Sequence, residues 1–209
     1  MEQQYRDLLI RHCQQMEIDL ADEKLDKLLQ YHALLVKWNK AFNLTAVRDP
    51  LEMVTRHLTD SLSVLPYIDV ERLIDVGSGP GLPGIPLAIC RPELPITLLD
   101  SNIKKSRFQF QAKAELGLEN VDVVHERVEK FIPEQPFDGV ISRAFASIQD
   151  MLHWTEHLCS DEGIFLAMKG MYPVDELEQL PEQIKLRQNI RLNVPDTEGE
   201  RHLLILGRS

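Results

Sequence analysis

The chain of 209 residues carries 33 Asp and Glu against 23 Lys and Arg, a formal net charge of -10. That length suits one large domain with an appendage, and the acidic balance argues against indiscriminate nucleic-acid binding while leaving room for a local basic patch. No segment reaches the ~18 consecutive apolar residues of a membrane span, and the opening Met1-Glu-Gln-Gln-Tyr5 has neither the basic nor the apolar region of a signal peptide, so a soluble cytoplasmic monomer is expected.

Up to about Tyr67 the periodicity is helical. Leu25, Leu28, Leu29, His32, Leu35 and Val36 share one face at i, i+3, i+4, i+7 spacing. Asp22 and Glu23 sit where a helix start favours acids. A second amphipathic run follows Pro50, with Met53, Val54, His57, Leu58, Ser61, Leu62 and Leu65. The pattern then changes, which divides the chain into a helical extension (1–67) and a second unit (68–209).

In the second unit strand-like and helical runs alternate. Leu73–Val76, Ile96–Leu99, Val121–Val124, Gly139–Ser142 and Ile164–Met168 read as strands, with Lys104–Leu116 and Ile148–Leu158 as connecting helices. Alternation of this kind implies an α/β fold with a mostly parallel, doubly wound sheet. Ile190–Val194 and Leu203–Leu206 flank the turn-like Pro195-Asp-Thr-Glu-Gly199 and read as a closing antiparallel pair.

The chemistry starts at Leu73-Ile-Asp-Val-Gly-Ser-Gly-Pro-Gly-Leu-Pro-Gly84. A buried strand ends in an acid, Asp75, then breaks into Gly77, Gly79 and Gly81. Glycines there let the chain turn with positive φ and let bare backbone approach a ligand, at the strand end where open α/β sheets bind. Gly79-Pro-Gly-Leu-Pro-Gly84 fits the dinucleotide pattern G-x-G-x-x-G, with Asp100 near the expected ribose-binding spacing. Asp75-Val-Gly-Ser-Gly-Pro-Gly81 also resembles the D/E-x-G-x-G-x-G motif of S-adenosylmethionine (SAM)-dependent methyltransferases. SAM is a cation without phosphate, so a carboxylate near the turn suits it and would repel a pyrophosphate. Pro80, Pro83 and Pro86 remove N–H donors that a pyrophosphate-binding helix start would offer. SAM is therefore favoured over NAD.

Asp100 ends the second strand, where a carboxylate can accept from both ribose hydroxyls or instead cap the helix beginning near Lys104. After the third strand, Val128 and Glu129 could bracket an adenine ring or belong to an ordinary loop. After the fourth comes Ser142-Arg143-Ala144-Phe145 in place of the N/D-P-P-Y/F motif used on exocyclic amines. Cys13, Cys90 and Cys159 are odd in number, far apart and in no C-x-x-C pair, implying neither disulfides nor a metal site. None follows a strand end as the thiolate that C5-pyrimidine methylation needs. Arg143 and Lys169 instead bring two cations to strand ends, which asks for an anion such as a nucleic-acid phosphate, unless local carboxylates neutralise them. Lys104, Lys105, Arg107, Arg201 and His202 could extend that phosphate footprint; a solvated helix face explains the first three almost as well.

Taken together, Lys37-Trp-Asn-Lys-Ala-Phe-Asn-Leu-Thr45, Arg56-His57, Asp60-Ser61, the glycine turn, Phe137–Phe145, Lys169-Gly170 and Gly199-Glu-Arg-His202 resemble the bacterial small-subunit rRNA methyltransferase G family, also called glucose-inhibited division protein B. The resemblance spans nearly the whole chain. It implies a Rossmann-like, seven-stranded class I SAM-dependent methyltransferase with an N-terminal helical extension, methylating N7 of a guanine in 16S rRNA or the small ribosomal subunit. Carried across, Gly77, Leu82, Val128, Glu129 and Arg143 match the family's SAM-contacting positions. Asp75, Gly79, Gly81 and Asp100 join them from the reading of the turn, and Arg143 and Lys169 are the expected catalytic cations. Ala21 departs from the Ser or Thr helix cap frequent in relatives, a matter of roughly 1 kcal/mol of stability. For Trp38 and Phe42 core packing is expected; Asn43, His57, Asp60 and Ser61 could border the cleft as a lid or RNA contact. A nicotinamide oxidoreductase on the same turn and a non-catalytic rRNA-binding assembly factor are the rival readings.

Overall fold

The computed structural model describes residues 2–209. The helical half opens with α1 (Glu2–Gln15) and α2 (Asp22–Phe42). In α2, Leu25, Leu28, Tyr31, His32, Leu35 and Asn39 are buried along one stripe, as the periodicity requires. Its N-cap, Ala21, makes no side-chain bond to the first turn, and Asn43 ends it in the left-handed region at φ 52°.

The run after Pro50 is helical but not one helix. A turn of α3 (Pro50–Met53) passes into a π-helical segment, Val54–Thr59, then into α4 (Asp60–Leu62) and a 3₁₀ turn at Leu65–Tyr67. Periodicity alone reads an uninterrupted α-helix there. π-turns are rare and concentrate at functional sites.

The second unit runs β1 (Leu73–Val76), α5 (Gly84–Cys90), β2 (Ile96–Asp100), α6 (Ile103–Leu116), β3 (Val121–His125), β4 (Phe137–Ser142), α7 (Ile148–Thr155), β5 (Cys159–Lys169), α8 (Val174–Glu178), β6 (Ile184–Arg191) and β7 (His202–Arg208). The seven strands lie in the order β3-β2-β1-β4-β5-β7-β6. All pairings are parallel except those made by β7. Strands β1 and β2 are buried at every position, which is why they read as continuous apolar runs.

The closing antiparallel pair is present, but its first strand is Ile184–Arg191 rather than Ile190–Val194. The edge strand exposes Lys185, Arg187, Gln188 and Asn189; charged edges resist pairing with other chains but conceal the strand from an apolar search. Leu192 and Val194 are buried past its end, with Leu192 N–H donating to Arg201 O at 2.8 Å.

The pleat sends alternate residues to opposite faces. Leu73, Ile141, Leu166 and Leu203 join a core with α1, α2, α5 and α6, while Ile74, Val140, Phe165 and Leu204 pack with α7. Leu9, Leu28, Tyr31 and Leu58 share that first core with Leu82 and Phe108, so the helical extension is seated on the face of the sheet that carries the glycine turn. Trp38 lies 5.1 Å from Phe42 and 5.7 Å from Phe108, ring centre to ring centre, which is a packing role, whereas Phe42 is 41% exposed at the end of α2 rather than in the core.

Candidate active site

The expected cofactor residues and strand-end cations sit at or just after the carboxyl ends of β1, β2, β3, β4 and β5. After β1, Gly77, Gly79 and Gly81 all take positive φ, 68°, 59° and 94°. Their surroundings differ. A Cβ on Gly77 would meet Ala144 Cβ at 2.7 Å, one on Gly81 would run into Ile85, and one on Gly79 would point into open space. Gly79 thus has room for a side chain, but it is buried with its N–H and O already bonded within the protein, and Gly77 is the one of the three whose backbone is exposed.

The turn is tied down from below. Gly77 N–H donates to Leu99 O at 2.8 Å. Gln109 of α6 donates through Nε2 to Ser78 Oγ at 2.8 Å and Gly79 O at 2.6 Å, and the Tyr31 hydroxyl of α2 donates to Pro80 O at 2.9 Å. Neither Gln109 nor Tyr31 stands out in the sequence, because nothing in local spacing links positions so far apart.

Asp75 lies beneath the turn, 1% exposed. Its Oδ2 accepts from Gly84 N–H at 2.8 Å, joining the strand to the start of α5, while Oδ1 has no partner among the described residues. Burial pushes the carboxyl up to about 8, against the pull of Gly84 N–H and the Arg143 charge. A cation seated on the turn would favour the ionised form. Asp100 accepts from Gly79 N–H through Oδ2 and Asn102 N–H through Oδ1, each at 2.8 Å. Capping of α6 falls to Asn102, whose side chain accepts from Lys104 and Lys105 N–H, so the alternative role for Asp100 is not the one it has. These groups fit a cationic nucleoside ligand: an exposed glycine, Gly77, an underused buried carboxylate, and a second carboxylate at the end of β2.

Three expected cofactor residues are placed differently from the rest. The Leu82 side chain is buried in the core at 1% exposure, which leaves only its backbone for a ligand. Val128 packs partly against the second core and Glu129 is exposed beside Arg127, 3.5 Å away.

Beside the turn opens a cleft of about 520 Å³, bordered by Thr45, His57 and Asp60 from the helical half and by Arg143, Lys169 and Arg201 from the sheet. Each strand-end cation has a carboxylate. Arg143 Nη1 donates to Asp60 Oδ2 at 3.0 Å, and Lys169 Nζ lies 3.1 Å from Glu176 Oε2 while donating to Ala146 O at 2.8 Å. Local pairing, left open by the sequence, is what the structure has. Arg201 shares Asp60, Nε to Oδ1 at 3.5 Å.

His202 also lines the cleft, but only 6% of it is exposed and its ring nitrogens are engaged by Asn189 and Glu200. Lys104, Lys105 and Arg107 are on α6 and do not line the cleft, so the basic residues form two places rather than one.

His57, in the π-helical segment, places Nε2 2.8 Å from Thr45 Oγ1, and its Nδ1 has no partner among the described residues. Burial and the nearby Arg143 charge push it down to about 4, so the ring is neutral at pH 7. Burial raises the three thiols, Cys90 to about 12 and Cys13 and Cys159 to about 11; none borders the cleft. Among the described residues no helix is long and apolar enough to cross a membrane, and no group of His, Cys, Asp and Glu is arranged to hold a metal.

A parallel sheet with one reversed strand in this order, carrying an acid and three glycines after β1, defines a Rossmann-like SAM-dependent methyltransferase. Solved structures agree on the fold. Mitomycin 7-O-methyltransferase superposes with a TM-score of 0.60 over 90% of this chain and 69% of its own, at 12% identity. A Thiobacillus denitrificans SAM-dependent methyltransferase in complex with S-adenosyl-L-homocysteine gives 0.53 over 73% and 91%, at 10% identity.

Sequence relatives narrow the class. The family model for rRNA small subunit methyltransferase G (GidB) matches residues 24–204. Proteins named ribosomal RNA small subunit methyltransferase G from Pseudomonas paraeruginosa and Ectopseudomonas mendocina are 55% and 54% identical, covering 98% and 99% of this chain and 96% and 98% of their own. The chain belongs to the rRNA small subunit methyltransferase G family.

Proposed function

We propose that the protein transfers the methyl group of SAM to N7 of a guanine in 16S rRNA, free or within the small ribosomal subunit, as a cytoplasmic monomer. The observation that carries this reading is a cationic cleft beside the glycine turn with no group poised to remove a proton.

SAM, when bound, supplies an electrophilic methyl on a sulfonium. Gly77 and Asp100 border its nucleoside part, Val128 and Glu129 flank the base, Arg143 faces its carboxylate, and Asp75 opposes its positive charge. Guanine N7 has a lone pair and no proton at neutral pH, so its attack needs no base. That suits a site where His57 is a poor proton acceptor, Asp60 is spent on two arginines and the thiols are protonated and remote. Alignment then does most of the work, an effect worth several kcal/mol. Lys169 and Arg201 contact the RNA through phosphate or the guanine edge.

A nicotinamide oxidoreductase is disfavoured by the buried acid under the turn and by Pro83 at the start of α5, which has no N–H to give a pyrophosphate. The test is methyl transfer to 16S rRNA lacking the modification, with the product read as strand scission by aniline after reduction. A 7-deaza guanine at the acceptor should bind within about tenfold and not turn over. Methylation of the 7-deaza RNA, or a product resistant to scission, overturns N7 as acceptor; an unmodified rRNA that takes no methyl overturns the substrate. An assembly factor without activity would bind rRNA and leave it unmethylated.

A further inference from the structure

Among the described residues Asp60 is the one carboxylate of the helical half that faces the cleft, and it is shared between two guanidinium groups that flank different strands. Oδ2 takes Arg143 at 3.0 Å, at the end of β4; Oδ1 faces Arg201 at 3.5 Å, just before β7. Its side chain is only 11% exposed, and those of Arg143 and Arg201 are 27% and 29% exposed. Its placement is not accidental to the helix: the π-helical segment ends at Thr59, and Asp60 N–H donates back to His57 O and Thr55 O. The local winding therefore sets where this carboxylate points.

We propose that Asp60 is a positioning residue that couples the RNA side of the cleft to the cofactor side, so that the charge of Arg201 sets how firmly Arg143 holds the carboxylate of SAM. The inference rests on the reading above, in which Arg143 faces the cofactor and Arg201 the RNA. With both arginines present, the carboxylate is balanced and Arg143 keeps donors free for a second anion, since a guanidinium has five N–H groups. When Arg201 loses its charge, Asp60 bears on Arg143 alone. In a half-buried site screened less than bulk water, the net field at Arg143 then disfavours a further carboxylate. A phosphate arriving on Arg201 acts in the same direction, so rRNA and cofactor weaken one another reciprocally.

The experiment is a double-mutant cycle read as S-adenosylhomocysteine affinity by calorimetry, on Asp60→Asn, Arg201→Gln and the pair, with melting temperatures as a control for folding. Arg201→Gln should weaken S-adenosylhomocysteine about fivefold in the unaltered background and less than about twofold with Asn at position 60, the departure from additivity being the signature of a shared partner. A purely structural Asp60 would lower the melting temperature while leaving the two Arg201 effects equal. Equal effects in both backgrounds, or none in either, overturn the coupling. Arg143→Gln separates the premises: if it leaves S-adenosylhomocysteine affinity unchanged, Arg143 does not hold the cofactor and the coupling fails with it, while methyl transfer to rRNA by the unaltered protein would still stand. Asp60→Glu, which keeps the charge, should restore part of the Arg201 effect.

Discussion

The Tyr31 hydroxyl donates to the carbonyl oxygen of Pro80 at 2.9 Å, joining the middle of α2 to the glycine turn. Tyr31 is fully buried against Phe108, ring centres 6.1 Å apart. The helical extension is in this way part of the support of the cofactor turn. Tyr31→Phe leaves Pro80 O without its partner and should cost about 1–2 kcal/mol of stability together with weaker SAM binding. Loss of stability with unchanged SAM affinity in calorimetry would mean that the contact braces the core alone.

The glycines should not behave alike. Gly79→Val is expected to abolish SAM binding in a protein that still folds, because its Cβ has room while a β-branched residue strains the φ of a turn whose N–H holds Asp100, at the cost of about 1–2 kcal/mol. Gly77→Val and Gly81→Val should lower the melting temperature further, since Ala144 and Ile85 stand in the way. A folded Gly79→Val protein with unchanged SAM affinity would remove this turn from the cofactor site.

Asp75 makes a pH prediction. Its carboxyl ionises at the usual 3.8 when unfolded and at about 8 when folded, so its ionisation costs the folded state progressively more as pH rises from about 4 to about 8. Asp75→Asn should keep the bond from Gly84 N–H through its amide oxygen. It should be more stable than the original protein near pH 8, by roughly 1–3 kcal/mol for a buried charge removed, with the gap closing near pH 4. It should also bind SAM more weakly. Denaturant titrations at pH 5 and pH 8 with the same gap would contradict the assignment.

RNA binding should weaken steeply with salt despite the acidic surface. Charge reversal at Lys104 and Lys105 should reduce the salt slope by roughly one to two, whereas reversal at Lys185, on the exposed edge strand β6, should not. If the two variants titrate alike, the start of α6 lies outside the RNA path and the cleft alone holds the substrate.

Ala21→Ser should stabilise the protein by roughly 0.5–2 kcal/mol, because the N-cap of α2 makes no side-chain bond now. Methyl transfer should be unaffected. An unaltered melting temperature would show that water already satisfies those N–H groups.

The alternation of runs after Arg72, the glycine turn with Asp75 beneath it and the acid at the end of β2 were all legible from order along the chain. Each is local: a buried strand needs a continuous apolar run, and a turn with φ between 59° and 94° needs glycine. Tertiary packing alone decided which glycine has room for a side chain, since only the positions of Ala144 and Ile85 separate Gly77 and Gly81 from Gly79. It decided the register of β6, whose exposed polar residues carry no apolar signal, and the π-helical winding after Pro50, whose apolar spacing also suits an α-helix. It also decided the pairing of charges. Arg143 meets Asp60 across 83 positions and Arg201 meets the same carboxylate from the other end of the chain; the electrostatic state of a cation depends on what stands within a few ångströms of it, and distances of that kind are properties of the fold.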